Sequence, residues 1–218
     1  MKRQMWWLCI SVTVIGLCLS SNVWGTQAQD ATPAADQPLM LPIDAFYDPP
    51  ATIPNSPGVL LQSEPLTDRM LPANAQGWRI QYVTTLPDGQ PAAAVATVLA
   101  PRSLPSDRLP VIAWAHGTVG ILQECLPSAT VVPFAGIPAL DQVMAAGWVV
   151  VAADYAVNAD GIHPYIIGEG EGRAVLDAVR AAHHMAELEL DPRTVVWGHS
   201  QGGHSALCTG QIAADYAP

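Results

Sequence analysis

Hydrophobic positions change rhythm along this chain. Over residues 79–85 they alternate, with Ile80, Tyr82 and Thr84 on one face, which is the period of a half-buried strand. Pro87-Asp88-Gly89-Gln90 is a turn signal, and residues 92–99 supply a second run, so the two predict an antiparallel hairpin. From Leu109 the alternation gives way to solid apolar runs. Residues 110–115 and 148–153 have the composition of strands buried on both faces. Between them Pro138 opens a short helix, with Leu140, Val143 and Met144 on one side and Gly147 as its stop. A loop over residues 156–168 carries His163-Pro164-Tyr165. A helical period then runs over residues 171–188. Val175, Val179, Ala182 and either Met185 or Ala186 form its apolar stripe, and Arg173, Asp177, Arg180 and His184 form the opposite face. Arg173–Asp177 and Asp177–Arg180 are spaced to attract each other. Asp191-Pro192 turns into a third strand, and residues 201–216 read as a last helix. Strands alternating with helices predict an α/β fold, a parallel twisted sheet covered on both sides with right-handed crossovers.

The third strand ends in Gly198-His199-Ser200-Gln201-Gly202-Gly203. Strand, Gly-x-Ser-x-Gly and helix in that order form a nucleophile elbow. The serine occupies a strained turn, so its neighbours two before and two after must carry little bulk. The helix that follows aims unpaired N–H groups at the reacting centre. A serine so placed attacks an acyl carbon once a histidine base lies beside it.

Composition narrows the partners. The first 25 residues read as a secretory signal, with Lys2 and Arg3 ahead of an uncharged run over residues 5–19. Cleavage falls after Gly25 or after Ala28, and the alternative is an uncleaved anchor. Residues 26–44 read as a disordered linker rich in Pro, Ala, Asp and Gln. Beyond residue 25 there are seven arginines, no lysine and nineteen acids, a formal charge of −12. That surface disfavours nucleic acid and anionic membranes as partners. Export predicts a secreted or periplasmic protein in an oxidising compartment. Cys125 and Cys208 are then the remaining cysteines, free to pair or to stay reduced. No Cys/His spacing suggests a metal site, and no cofactor is implied.

Several further pieces accompany the elbow: Phe46-Tyr47-Asp48-Pro49-Pro50, Pro57-Gly58-Val59-Leu60-Leu61, Ser63-Glu64-Pro65-Leu66, His116-Gly117-Thr118 with Cys125-Leu126-Pro127-Ser128, Asp154-Tyr155 and His163-Pro164-Tyr165. Together they resemble the secretory lipase family of α/β-hydrolases over residues 45–216. The family leads one to expect a glycine soon after Asp154-Tyr155, where this chain has Ala156-Val157-Asn158. The resemblance implies hydrolysis of carboxylic esters, acyl glycerols among them, through an acyl-enzyme on Ser200. It implies the backbone N–H of Gln201 as one oxyanion donor and that of Thr118 as the second, with Val119 the alternative. His163 and Asp154 are candidates for the substrate pocket. A serine peptidase, an acyltransferase and a non-catalytic ligand-binding relative are the competing readings.

In this fold the triad acid and histidine follow the serine. After Ser200 the chain holds one acid, Asp215, and one histidine, His204, both within the last helix. None of His116, His163, His183, His184, His199 and His204 reads as the base. The expectation is therefore an incomplete α/β-hydrolase, the N-terminal part of a longer enzyme and nearly inactive alone.

Overall fold

The computed structural model describes residues 40–103 and 108–217. The signal segment and most of the linker lie outside the described residues.

Six strands form one mixed sheet in these residues: β1 (Leu60–Pro65), β2 (Ala75–Thr85), β3 (Pro91–Pro101), β4 (Leu109–Ala115), β5 (Val149–Ala153) and β6 (Leu190–Gly198). Their order across the sheet is β1-β2-β3-β5-β4-β6. The hairpin forms as the alternation predicts, with Ile80 opposite Ala96 and Tyr82 opposite Ala94. β3 joins β5 antiparallel, and only β5, β4 and β6 run parallel. The sheet is therefore mixed rather than wholly parallel. β1 covers the outer edge of the hairpin and is bulged between Leu60 and Gln62.

Both faces of β4 and β5 are covered, which explains their solid apolar runs, whereas edge strand β6 is half-exposed, with Val195 open to solvent. In β4, Val111, Ala113 and Ala115 point to one core and Ile112 and Trp114 to the other. The first core is closed by α2 (Gly168–Ala182), whose Ala174, Val175, Ala178 and Ala182 pack on the sheet. The alanines of β3 at positions 92, 94 and 96 face this helix, and their small size lets it sit close. The second core is closed by Phe134, Ile137 and α1 (Leu140–Ala145) through Met144.

Helix α2 starts earlier and ends sooner than its apolar period suggests. After Ala182 the chain tightens, with His184 N–H donating to Ala181 O and Met185 N–H to Ala182 O. Met185 and Leu188 still reach the core from this turn, so the pattern outlasts the helix. His183 and His184 lie exposed beyond its end. Asp177 is a second correction, because it is fully buried rather than on a solvent face. Its carboxylate accepts from Thr84 Oγ1 at 2.8 Å, Tyr216 Oη at 2.8 Å and Arg180 Nη1 at 3.0 Å. Burial pushes this carboxyl up, and the three donors only partly offset it. Arg173 instead pairs with Glu169 and donates to Leu86 O.

Residues 40–44, read above as the end of the linker, are held in place. Leu41 N–H donates to Ala129 O, and Asp44 caps the short turn Ala45–Tyr47 and pairs with Arg79. The buried Arg79 guanidinium also meets Glu64 and lies 4.1 Å over the Phe46 ring. This is how the Phe-Tyr-x-Pro-Pro segment is clamped to β2.

Candidate active site

Ser200 sits between β6 and α3 (Gln201–Tyr216) with φ 57° and ψ −119°. A positive φ at a non-glycine residue is the strained turn that the motif requires. The flanking glycines are forced by the main chain. A Cβ on Gly198 would fall 2.1 Å from Gly202 O, and one on Gly202 would fall 1.9 Å from Ala115 O. Strand β4, the elbow and the start of α3 therefore touch backbone to backbone. Gly203 is different, since its nearest neighbour would be 3.7 Å away.

The serine is exposed, and Gln201 N–H is the first unpaired donor of α3. The His-Gly loop lies against the elbow. A Cβ on Gly117 would meet His199 O at 3.3 Å and Ser200 Cβ at 3.7 Å. Thr118, the next residue, is exposed beside this contact, and its hydroxyl bonds Tyr165 Oη at 2.8 Å. The loops after β4 and β5 are tied together there. His163 N–H donates to Ile121 O, and Leu122 bridges Ile162. These loops expose Val119, Ile121, Leu122, Ile162, Ile166 and Ile167.

His163 and Asp154 are both buried, with their polar atoms turned to protein. Asp154 accepts from Ser128 N–H at 3.1 Å and from Ser128 Oγ, so it anchors the Cys-Leu-Pro-Ser loop. Burial raises its carboxyl to about 7, against the lowering by Ser128. Tyr155 follows at φ 64° and donates from Oη to His116 O at 2.9 Å. The loop that lacks the expected glycine is shaped by Asn158, whose Oδ1 accepts from the N–H of Asp160 and Ile162. His116 is buried and holds Gly117 O through Nδ1, and burial lowers its pKa.

His163 belongs to a polar cluster under the elbow that the periodicity does not reveal. Glu171 is its hub, 1% exposed. The carboxylate accepts from Gln201 Nε2 at 2.7 Å, Ile166 N–H at 3.1 Å and His204 Nδ1 at 3.3 Å. Gln201 Nε2 also reaches His163 Nε2 at 2.9 Å, and His163 Nδ1 donates to Ala156 O. Burial alone would raise the Glu171 carboxyl, but hydrogen bonds from His163, Gln201 and His204 together hold it below its ordinary value. The Gln201 side chain is thus fixed by Glu171 and His163. None of these histidines hydrogen-bonds the Ser200 hydroxyl; their ring nitrogens serve Gly117, Ala156, Gln201 and Glu171. Cys125 and Cys208 are both free.

Residues 123–218 match the family model described as secretory lipase. A solved structure of Candida antarctica lipase A in its closed state superposes with a TM-score of 0.63 at 27% identity, covering 80% of this chain and 43% of that one. The chain has the α/β-hydrolase fold and is similar to secretory lipases over the matched residues. Lipase A of Moesziomyces aphidis is 27% identical over 96% of the chain and 48% of its own length. A secreted triacylglycerol lipase of Malassezia globosa is 31% identical over 78% of the chain and 38% of its own length. A probable inactive lipase of Mycobacterium tuberculosis is 29% identical over 84% and 44%. The chain spans about half the length, or less, of the curated relatives it matches. The matched region contains the elbow, α2 and the Cys-Leu-Pro-Ser loop.

Proposed function

We propose that the protein is an exported carboxylic-ester hydrolase of lipase type that works through an acyl-enzyme on Ser200. The observation that carries this reading is the elbow itself, a serine at φ 57° that opens α3 between two glycines no other residue can replace. Attack by Oγ on the ester carbonyl places the developing oxyanion at the Gln201 N–H, and Thr118 N–H is the second donor. One such donor contributes about a hundred- to a thousandfold in rate. The apolar residues exposed on the loops after β4 and β5 suit an acyl chain rather than a peptide. Turnover also needs a histidine within hydrogen-bond reach of Ser200. The relatives' greater length supports a base contributed from outside the matched half.

The experiment is a substrate panel on the protein expressed from its complete reading frame. p-Nitrophenyl esters of rising acyl length are compared with peptide anilides, with Ser200→Ala alongside. Ester turnover that is lost in the variant by about 10⁵-fold or more supports the reading. Turnover of the anilides in preference to esters, or a variant as active as the parent, overturns it. The relative named a probable inactive lipase gives weight to a second reading, a non-catalytic member. A folded protein inert toward every ester would favour it.

A further inference from the structure

A second nucleophilic side chain, Cys208, lies on α3 eight residues beyond Ser200. Cys208 and His204 are four residues apart on α3, so they share a side of the helix. The thiol sulfur is 3.7 Å from His204 Nε2, and His204 Nδ1 is 3.3 Å from Glu171 Oε2. The proton positions follow from the donors available. A carboxylate only accepts, so Nδ1 carries the hydrogen and Nε2 turns its lone pair to the thiol. Glu171 is buried and fixed by Gln201 and Ile166, so it holds the imidazole in this tautomer. The imidazole serves one partner with each nitrogen, which makes a relay rather than a convergence on one point. Gly168 makes the room, since a Cβ there would strike Cys208 Sγ at 2.2 Å. His204 keeps 40% of its side chain exposed and Cys208 is half-buried, so a small molecule can reach the pair.

We propose that Cys208 is a thiol-modification site for small disulfides, with His204 as its base and Glu171 as the group that orients the base. His204 Nε2 takes the thiol proton as Sγ attacks one sulfur of the disulfide. The Cys208–sulfur bond forms, the original S–S bond breaks, and the departing thiolate takes up a proton to leave as a free thiol. Cys208 is oxidised to a mixed disulfide and half of the reagent is reduced. Cys125 is the internal reference, because no histidine or carboxylate among the described residues hydrogen-bonds its sulfur. The inference does not depend on the ester-hydrolase reading.

The test exposes the purified chain to bis(2-hydroxyethyl) disulfide at neutral pH, quenches at intervals and maps the adducts by mass spectrometry of peptides. The reagent is uncharged, so the acidic surface does not steer it. Cys208 is expected to react about a hundredfold faster than Cys125, the low end of what a positioned base contributes. His204→Asn should bring Cys208 down to the rate of Cys125, with the circular dichroism unchanged. If that variant does not fold, the unmodified chain in concentrated urea answers the question, since the ratio of the two rates should fall to near one. Equal rates in the native chain overturn the proposal. So does a fast Cys208 that is indifferent to His204→Asn or keeps its advantage in urea.

Discussion

At the scale of single residues, the elbow is a steric fact before it is a chemical one. Gly198 and Gly202 are fixed by carbonyl oxygens about which nothing can move. Gly202→Ala should destabilise by more than about 4 kcal/mol, in the range where a single substitution abolishes folding. Gly203→Ala meets only an ordinary contact, Gly198 O at 3.7 Å, and should leave the fold intact, gaining up to about 1 kcal/mol from helix propensity. Chemical denaturation of the two variants separates them. Asp154 gives a residue-level dependence on pH. Its carboxyl titrates near 7 in the folded chain against 3.8 in the reference state, so the folded chain binds more protons between those values. Its contribution is fully present below the reference value and is lost as pH rises through 7. Asp154→Asn keeps an acceptor for Ser128 N–H and removes the titration. Melting temperatures of the variant and parent between pH 4 and 8 should differ in slope, with the parent falling more steeply, an effect on the order of a few kcal/mol.

At the scale of elements, the chain's N-terminal segment is fastened by one side chain. Arg79 is buried on β2, while its partners Asp44 and Glu64 are about half exposed. Water therefore weakens the ion pairs, and stacking on Phe46 and Tyr47 supplies much of the grip. Arg79→Ala should cost about 2 kcal/mol, with proteolysis first appearing near residues 40–50. This clamp shows where the sequence was hard to read. β2, β3, β4 and β5 follow from alternation and from solid apolar runs, because those patterns record which faces are buried. The period of α2 gave its stripe but misplaced its polar face. Asp177 is charged by identity and buried by context, since Thr84 and Tyr216 come from elements 93 and 39 residues away. Glu171, His204 and Cys208 were silent for the same reason. A glutamate in a Gly-Glu-Gly-Glu-Gly run carries no period, and only the packing of α2 on α3 makes it a hub. Ser200 and Gln201 were legible because a local strand–turn–helix dictates their geometry.

At the scale of the whole molecule, charge and sheet order set the setting for the site. With nineteen acids and few cations, the protein should not be retained by anionic phospholipid vesicles at low ionic strength, and co-sedimentation checks this. An uncharged ester surface is what the proposed function calls for, in keeping with the apolar residues exposed on the loops after β4 and β5. Ser200 stands at the end of β6, next to β4 and its His-Gly loop, where the parallel strands of this sheet deliver their following loops. The most direct measurement is the site of covalent capture by a fluorophosphonate ester in the protein made from its complete reading frame. A single adduct on the peptide that carries Ser200, absent from Ser200→Ala, is the expected result. A folded protein with no adduct at Ser200, or one labelled equally well in the variant, would contradict the assignment of Ser200 as the nucleophile.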